Sequence, residues 1–291
     1  MPTSAAEVVD LLDLETLDDN LFRGRQPETT LQRVFGGQVA AQALVAGSHT
    51  VDPAYEAHSM HSYFLRPGDV SIPILYDVEV LRDGRSFATR RVVARQHGRP
   101  IFFLTANYQR VEEGLDHADP MPDVPGPEDA MKLADIVGSA GDEARERWER
   151  EWAALDVRYV GNSGEGGGMD APAGRSVGAR LWIRVAGELP DDRLHQLAAF
   201  TYASDLTLLG AALVPHGLLI GDPRIQAASL DHTIWFHRPF RADRWWLYDQ
   251  TSPSAQGGRG LATARVFAED GRLVASVAQE GLIRPVSRDR S

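Results

Sequence analysis

Two stretches of this chain are near-copies of one another. Gly84–Ala94 reads GRSFATRRVVA and Gly258–Ala268 reads GRGLATARVFA, with seven of eleven positions identical. Each leads into a Gly-Arg turn, Gly98-Arg99 or Gly271-Arg272, and then into an apolar stretch. Upstream, Arg66-Pro67 and Arg238-Pro239 each close an aromatic-rich segment. The first match is displaced by 174 residues (84 to 258), the Arg-Pro match by 172 (66 to 238). A nearly constant displacement over several elements marks a duplication. The fold must therefore use one supersecondary unit twice. With 291 residues, 43% of them hydrophobic, the chain has ample core for that.

The unit is a strand, a helix and a run of antiparallel strands. In the first copy, Asp19–Arg25 reads as a strand and Phe35–Ala46 as a helix of small residues, opened by Gly36-Gly37. His58–Leu65, Ile72–Arg82, Ser86–Gln96 and Ile101–Arg110 follow as strands, punctuated by Arg-Pro-Gly-Asp, Asp-Gly and Gly-Arg-Pro turns. In the second copy, Ala179–Val185 is a strand and Arg193–Leu213 an apolar helix. Ser229–Phe236, Trp245–Asp249, Gly260–Glu269 and Arg272–Leu282 close the sheet. A helix followed by antiparallel strands is an α+β layer. The expected organisation is an N-terminal helix (1–18, with Ser4 and Glu7 spaced as a capping box), a first repeat (19–110), a linker (111–177) and a second repeat (178–291). The linker is expected to hold a short charged helix, Glu143–Ala154, and a Gly-rich loop, Gly161–Arg175. Each sheet is expected to wrap its own helix, the two joining into one continuous sheet.

Composition narrows the chemistry. There are no cysteines, which excludes a disulfide scaffold, thiolate metal sites and a cysteine nucleophile, and fits a reducing, cytoplasmic setting. Net charge is −11 and Lys132 is the one lysine, so a nucleic-acid partner is not expected. A polyanionic ligand would have to meet arginines and backbone amides. The acidic N-terminus does not read as a secretory signal. No charge-free apolar run is long enough for a membrane span. Neither metal nor cofactor is expected.

From Leu197 to Leu213 the only charge is Asp205. A carboxylate in so apolar a stretch is costly unless something partners it. Two readings compete: Ser204 or Asp205 caps a second helical segment starting at Leu206, or Asp205 is buried for chemistry. Gly36-Gly37 divides likewise, between N–H groups aimed at a ligand oxygen and a close contact that tolerates no Cβ. Asp231-His232 invites a triad, but the chain has no G-x-S-x-G elbow for a serine nucleophile. His232 therefore reads as mainly structural.

RVFGGQVAAQAL (33–44), FLRPGD (64–69), YASDLTLL (202–209), SLDHTIWFHRPF (229–240) and VASVAQEGLIR (274–284) resemble the acyl-CoA thioesterase II family, whose members have a double hotdog fold. The matching segments span both halves in order. The resemblance implies hydrolysis of fatty acyl-CoA to free fatty acid and coenzyme A, and a homo-oligomer, dimer or tetramer. It implies a water held by Asp, Thr and Gln, which fall here on Asp205, Ser229 and Gln279. Ser229 departs from the family's threonine, keeping the hydroxyl and losing the methyl that restricts the rotamer. Gln279 shares a strand face with Leu273, Ala275 and Val277, so it meets Asp205 if that face covers the helix; otherwise it satisfies a backbone group. Gly37 is a candidate oxyanion donor and His232 a further candidate substrate contact. Arg66 and Arg238 are candidates for the nucleotide end, against the plainer reading of solvated turn arginines. Two other functions fit such a fold: a non-catalytic acyl-CoA-binding protein and an enoyl-CoA hydratase.

Overall fold

The computed structural model describes residues 1–139, 141–165, 168–169, 171 and 175–286. In chain order the first part comprises α1 (Ala5–Leu12), β1 (Glu15–Asp18), β2 (Leu21–Gly24), α2 (Gly36–Ser48), β3 (Tyr55–Phe64), β4 (Ile74–Asp83), β5 (Phe87–Gln96) and β6 (Arg99–Arg110). The connecting segment holds β7 (Met131–Lys132), α3 (Leu133–Gly138), α4 (Asp142–Trp152) and β8 (Leu155–Ser163). The last part comprises β9 (Gly178–Val185), α5 (Arg193–Ser204), β10 (Ile225–Ser229), β11 (Asp231–Phe236), β12 (Trp246–Gln256), β13 (Arg259–Ala268) and β14 (Leu273–Pro285).

All the strands form one sheet, in the order β1-β2-β4-β5-β6-β3-β11-β14-β13-β12-β9-β8-β7, with β10 also paired to β14. The order mirrors itself about the β3–β11 pair, as two copies of one unit related by a pseudo-twofold would require. β3 and β11 run antiparallel, with Thr233 opposite His61, and they make the two sheets one. On its inner face the sheet holds α2 and α5 side by side. Ala40, Ala41, Ala43 and Ala46 of α2 are fully buried, and their small volume lets the helix lie close to both sheet and partner helix.

Three local expectations are corrected. The helix expected over Arg193–Leu213 stops at Ser204, and Leu208–Ala212 is a 3-10 turn. Neither Ser204 nor Asp205 caps that turn; its cap position is Thr207, with no side-chain bond. The segment 111–177 is more than a linker, because β8 pairs with β9 within the sheet. Its earlier part is strapped across the outer face of the second half. Trp182 Nε1 donates to Pro125 O (2.9 Å), and Met121 and Val124 cover a cluster of Trp182, Trp245, Leu247 and Phe267. The Gly-rich loop lies partly outside the described residues. Taken together, Arg193–His216 is long and apolar enough to cross a membrane, but 78% of its most apolar 18-residue window is buried inside the fold, as a core helix would be.

Candidate active site

Asp205 is the first residue after α5, with backbone still helical (φ −79°, ψ −12°). Its carboxylate points to the sheet. Gln279, fully buried on β14, donates Nε2 to Asp205 Oδ1 at 2.6 Å and to Ser229 Oγ at 2.7 Å. Ser229 Oγ donates to Asp205 Oδ1 at 3.4 Å. Gln279 thus meets the helix rather than a backbone group, and it does so from the strand face that also buries Ala275 and Val277.

Ser229 and His232 would face opposite sides of a regular strand, since their spacing is odd. The register prevents this. Ser229 pairs with Gly281, but Thr233 pairs with Ala278, so one extra residue sits on the β10–β11 side. This bulge turns both side chains to the helix face. Asp231 secures it, accepting Glu280 N–H at 2.7 Å. Asp231 therefore serves the bulge and belongs to no triad with His232.

The first repeat completes the surroundings. The N-terminus of α2 has no side-chain cap, and the backbone N–H of Gly37 lies by the Asp205 carboxylate and favours its charged form. Both readings of the glycine pair therefore hold in altered form. The N–H acts on an oxygen, and that oxygen belongs to Asp205. A Cβ at Gly37 would lie 2.2 Å from Tyr202 O, and one at Gly36 only 2.6 Å from Asp205 Oδ2. Arg33 carries no signal of its own within the 33–44 segment; only the approach of the α2 N-terminal end to Asp205 brings its charge, and Gly36, beside the carboxylate.

Burial pushes the Asp205 carboxyl up to about 6, against the opposing pull of Gln279, the Gly37 N–H, Ser229 and the Arg33 cation. Desolvation disfavours the charged form and those donors favour it; here desolvation is stronger. A carboxyl so poised is a base at neutral pH and can hold a proton transiently. Asp205 keeps 9% of its surface, and Ser229 is half-buried, whereas Gln279 and His232 are fully enclosed. Of Asp205, Ser229 and Gln279, Ser229 is the most exposed. Burial lowers His232 to about 4, so it is neutral, and its Nε2 lies 2.8 Å from Ser204 Oγ.

Both candidate arginines donate to main-chain carbonyls. Arg66 Nη1 donates to Pro100 O at 2.7 Å. Arg238 donates to Leu273 O (2.8 Å) and His117 O (3.0 Å) and pairs with Asp116. Leu273 begins β14, so Arg238 lies about 20 Å along that strand from Gln279. Arg238 ties down the strap and is not placed with Asp205.

The sequence pattern of the family described as Acyl-CoA thioesterase matches residues 168–282, and that of the Acyl-CoA thioesterase N-terminal domain matches 25–109. Acyl-CoA thioesterase 2 of Haemophilus influenzae is 38% identical over 95% of this chain and 96% of its own length. The chain belongs to the acyl-CoA thioesterase family. Human acyl-coenzyme A thioesterase 8 is 37% identical, over 95% of this chain and 88% of that one. Among solved structures, the acyl-CoA thioesterase II TesB2 of Mycobacterium marinum superposes with a TM-score of 0.81 at 45% identity, covering 96% of this chain and 99% of that chain. A hot dog fold protein of Alicyclobacillus acidocaldarius, 19% identical, reaches 0.76 over 97% of this chain and 99% of its own, a likeness of fold alone. This member of the thioesterase family is a double hotdog: two units, each a helix wrapped by its strands, sharing one antiparallel sheet.

Proposed function

We propose that the chain hydrolyses fatty acyl-CoA to free fatty acid and coenzyme A, with Asp205 as general base and Ser229 and Gln279 as its partners. The observation that carries this is the Gln279 amide bridging Asp205 Oδ1 and Ser229 Oγ, three groups from three separate elements. Above pH 6 the ionised Asp205 accepts a proton from water as the water oxygen bonds to the thioester carbonyl carbon. The tetrahedral intermediate then collapses, the C–S bond breaks, and the proton passes from Asp205 to the departing thiolate. Arg33, whose charge reaches Asp205 and whose guanidinium donates to Ala227 O at 3.2 Å, is a cation that a polyanionic substrate can meet.

A hydratase would need a histidine beside the acid at the open side. His232 is fully enclosed and reaches Ser204 instead, which favours hydrolysis. Thiol release from a panel of acyl-CoAs, run on wild type and Asp205→Asn, tests the reading. The expected outcome is turnover in wild type and loss of at least about 100-fold in the variant. Binding without thiol release by wild type would leave an acyl-CoA-binding protein. Loss of enoyl absorbance would favour the hydratase.

Residues 19–110 and 178–291 are taken as the two repeats. The reading includes a cytoplasmic homo-oligomer, dimer or tetramer. Tyr63 and Trp235 are exposed beside the β3–β11 seam, an apolar face suited to a second copy. Light scattering of the eluting protein checks the assembly, and cell fractionation checks the compartment.

A further inference from the structure

His232 is the one fully buried histidine among the described residues, and the hydrolysis as written does not use it. It stands opposite Gln279. Thr233 pairs with Ala278 across β11 and β14, and one step back along each strand brings His232 and Gln279 face to face on the helix side. Two buried polar atoms there lack a partner with good hydrogen-bond geometry, His232 Nδ1 and Gln279 Oε1. The Gln279 side chain is nonetheless close enough to act on the imidazole as a hydrogen-bonding neighbour, favouring its protonated form.

Counting protons assigns the arrangement. The amide has two N–H groups and two acceptors to meet, Asp205 Oδ1 at 2.6 Å and Ser229 Oγ at 2.7 Å. Both N–H groups are spent on them, so the amide oxygen faces His232. The neutral imidazole carries one proton. Ser204 Oγ has one proton to give, either to Thr201 O at 3.0 Å, in which case Nε2 must donate to Oγ, or to Nε2 at 2.8 Å. If Nε2 bore the proton, the bare Nδ1 would face the amide oxygen, lone pair against lone pair. If Ser204 donates to Nε2, the proton sits on Nδ1 and points at that oxygen.

We propose that His232 is a positioning residue: held by Ser204 as the Nδ1–H tautomer, it fixes the Gln279 carboxamide with both N–H groups toward Asp205 and Ser229. Without it, the amide is free to turn over and set its oxygen against the carboxylate. This rests on Asp205 being the base. The groups facing that carboxylate are the Gln279 amide, the Gly37 N–H, the Ser229 hydroxyl, the Arg33 cation and, from β12, the buried Tyr248, whose hydroxyl donates to Ser204 O and which burial and the Asp205 charge keep neutral. Loss of the amide N–H raises the carboxyl further.

Three substitutions separate this role from packing. His232→Leu removes both nitrogens. His232→Asn keeps a donor near the Nδ1 position, and His232→Gln keeps a polar group near the Nε2 position. The full-length variants are compared on one acyl-CoA, with circular dichroism and Tm confirming the fold. The expected result is a kcat about 10- to 100-fold lower for Leu with KM little changed. Its acid limb in the pH–kcat profile moves to higher pH. Asn recovers most of the loss and Gln does not. Should Leu fail to fold, the Asn–Gln comparison still decides. Recovery by Gln and not Asn would assign the histidine to Ser204 packing and overturn the proposal. So would wild-type kcat in His232→Leu alongside an inactive Asp205→Asn, which leaves the hydrolytic reading standing. Wild-type turnover in Asp205→Asn would instead remove the reading beneath it.

Discussion

Asp205 shows how burial alters the ionisation of one side chain. Its carboxyl is pushed up to about 6, from an ordinary value near 3.8, because desolvation outweighs four favourable partners. The consequence for stability has a definite sign. A carboxyl raised in the folded state favours folding fully below its unfolded value, and that contribution is lost as pH rises through the folded one. The stability of wild type minus that of Asp205→Asn should therefore fall by about 2–3 kcal/mol between pH 4 and pH 7. Urea melts of both proteins across that range check it; a difference constant with pH would contradict the burial of the charge. The same value predicts an acid limb near pH 6 in wild-type kcat. Gly36 belongs to this scale too. A methyl there would lie 2.6 Å from Asp205 Oδ2 and 2.8 Å from the Phe64 ring. Gly36→Ala should lower kcat by more than about tenfold while the protein still folds, as the carboxylate is shifted from its partners. Steady-state kinetics beside a Tm measurement checks this.

The elements of the two repeats have diverged in what fills the space under the helix. Arg90 of β5 corresponds to Ala264 of β13 in the matched eleven-residue segments. Arg90 is buried and reaches the far end of α2, donating to Thr50 Oγ1 (2.8 Å), Thr50 O (2.8 Å) and Arg82 O (3.0 Å) and pairing with Asp83 (2.7 Å). Tyr108 completes the cluster, its hydroxyl 3.4 Å from Ser48 Oγ. The strand register sets Tyr108 opposite Ala88 as it sets Gln279 opposite Ala262. The first repeat thus fills with Arg90 and Tyr108 the region that the second repeat leaves to Asp205, Ser229 and Gln279. Arg90→Ala should cost about 2–4 kcal/mol by stranding buried acceptors, with kcat/KM on acyl-CoA unchanged. Chemical denaturation and steady-state rates measure the two effects separately. The repeat itself was legible because strands and turns are local. The contents of each cavity were not, because they depend on which strands become neighbours.

At the scale of the whole molecule, the site belongs to neither repeat alone. The Gly37 N–H comes from the first, and Asp205, Ser229 and Gln279 from the second. The β3–β11 pair and the α2–α5 contact hold the halves together. A protease site engineered at Gly114-Leu115, in the exposed start of the strap, should therefore yield two fragments that co-elute and keep activity. Gel filtration of the nicked protein, with thiol release on the eluted peak, checks this. By itself the sequence determined the duplication, the α+β class and the two helices, since periodicity, turn residues and near-repetition are properties of short segments. It also singled out Asp205, because a lone charge among apolar residues is visible without a fold. Only the tertiary structure decided that the helix ends just before Asp205, that a one-residue bulge turns Ser229 and His232 to the same face, and that Gly36 and Arg33 border the acid. Each of these is fixed by register and by packing between residues far apart in the chain, and a one-residue slip, which reverses every side chain, leaves no trace in local composition.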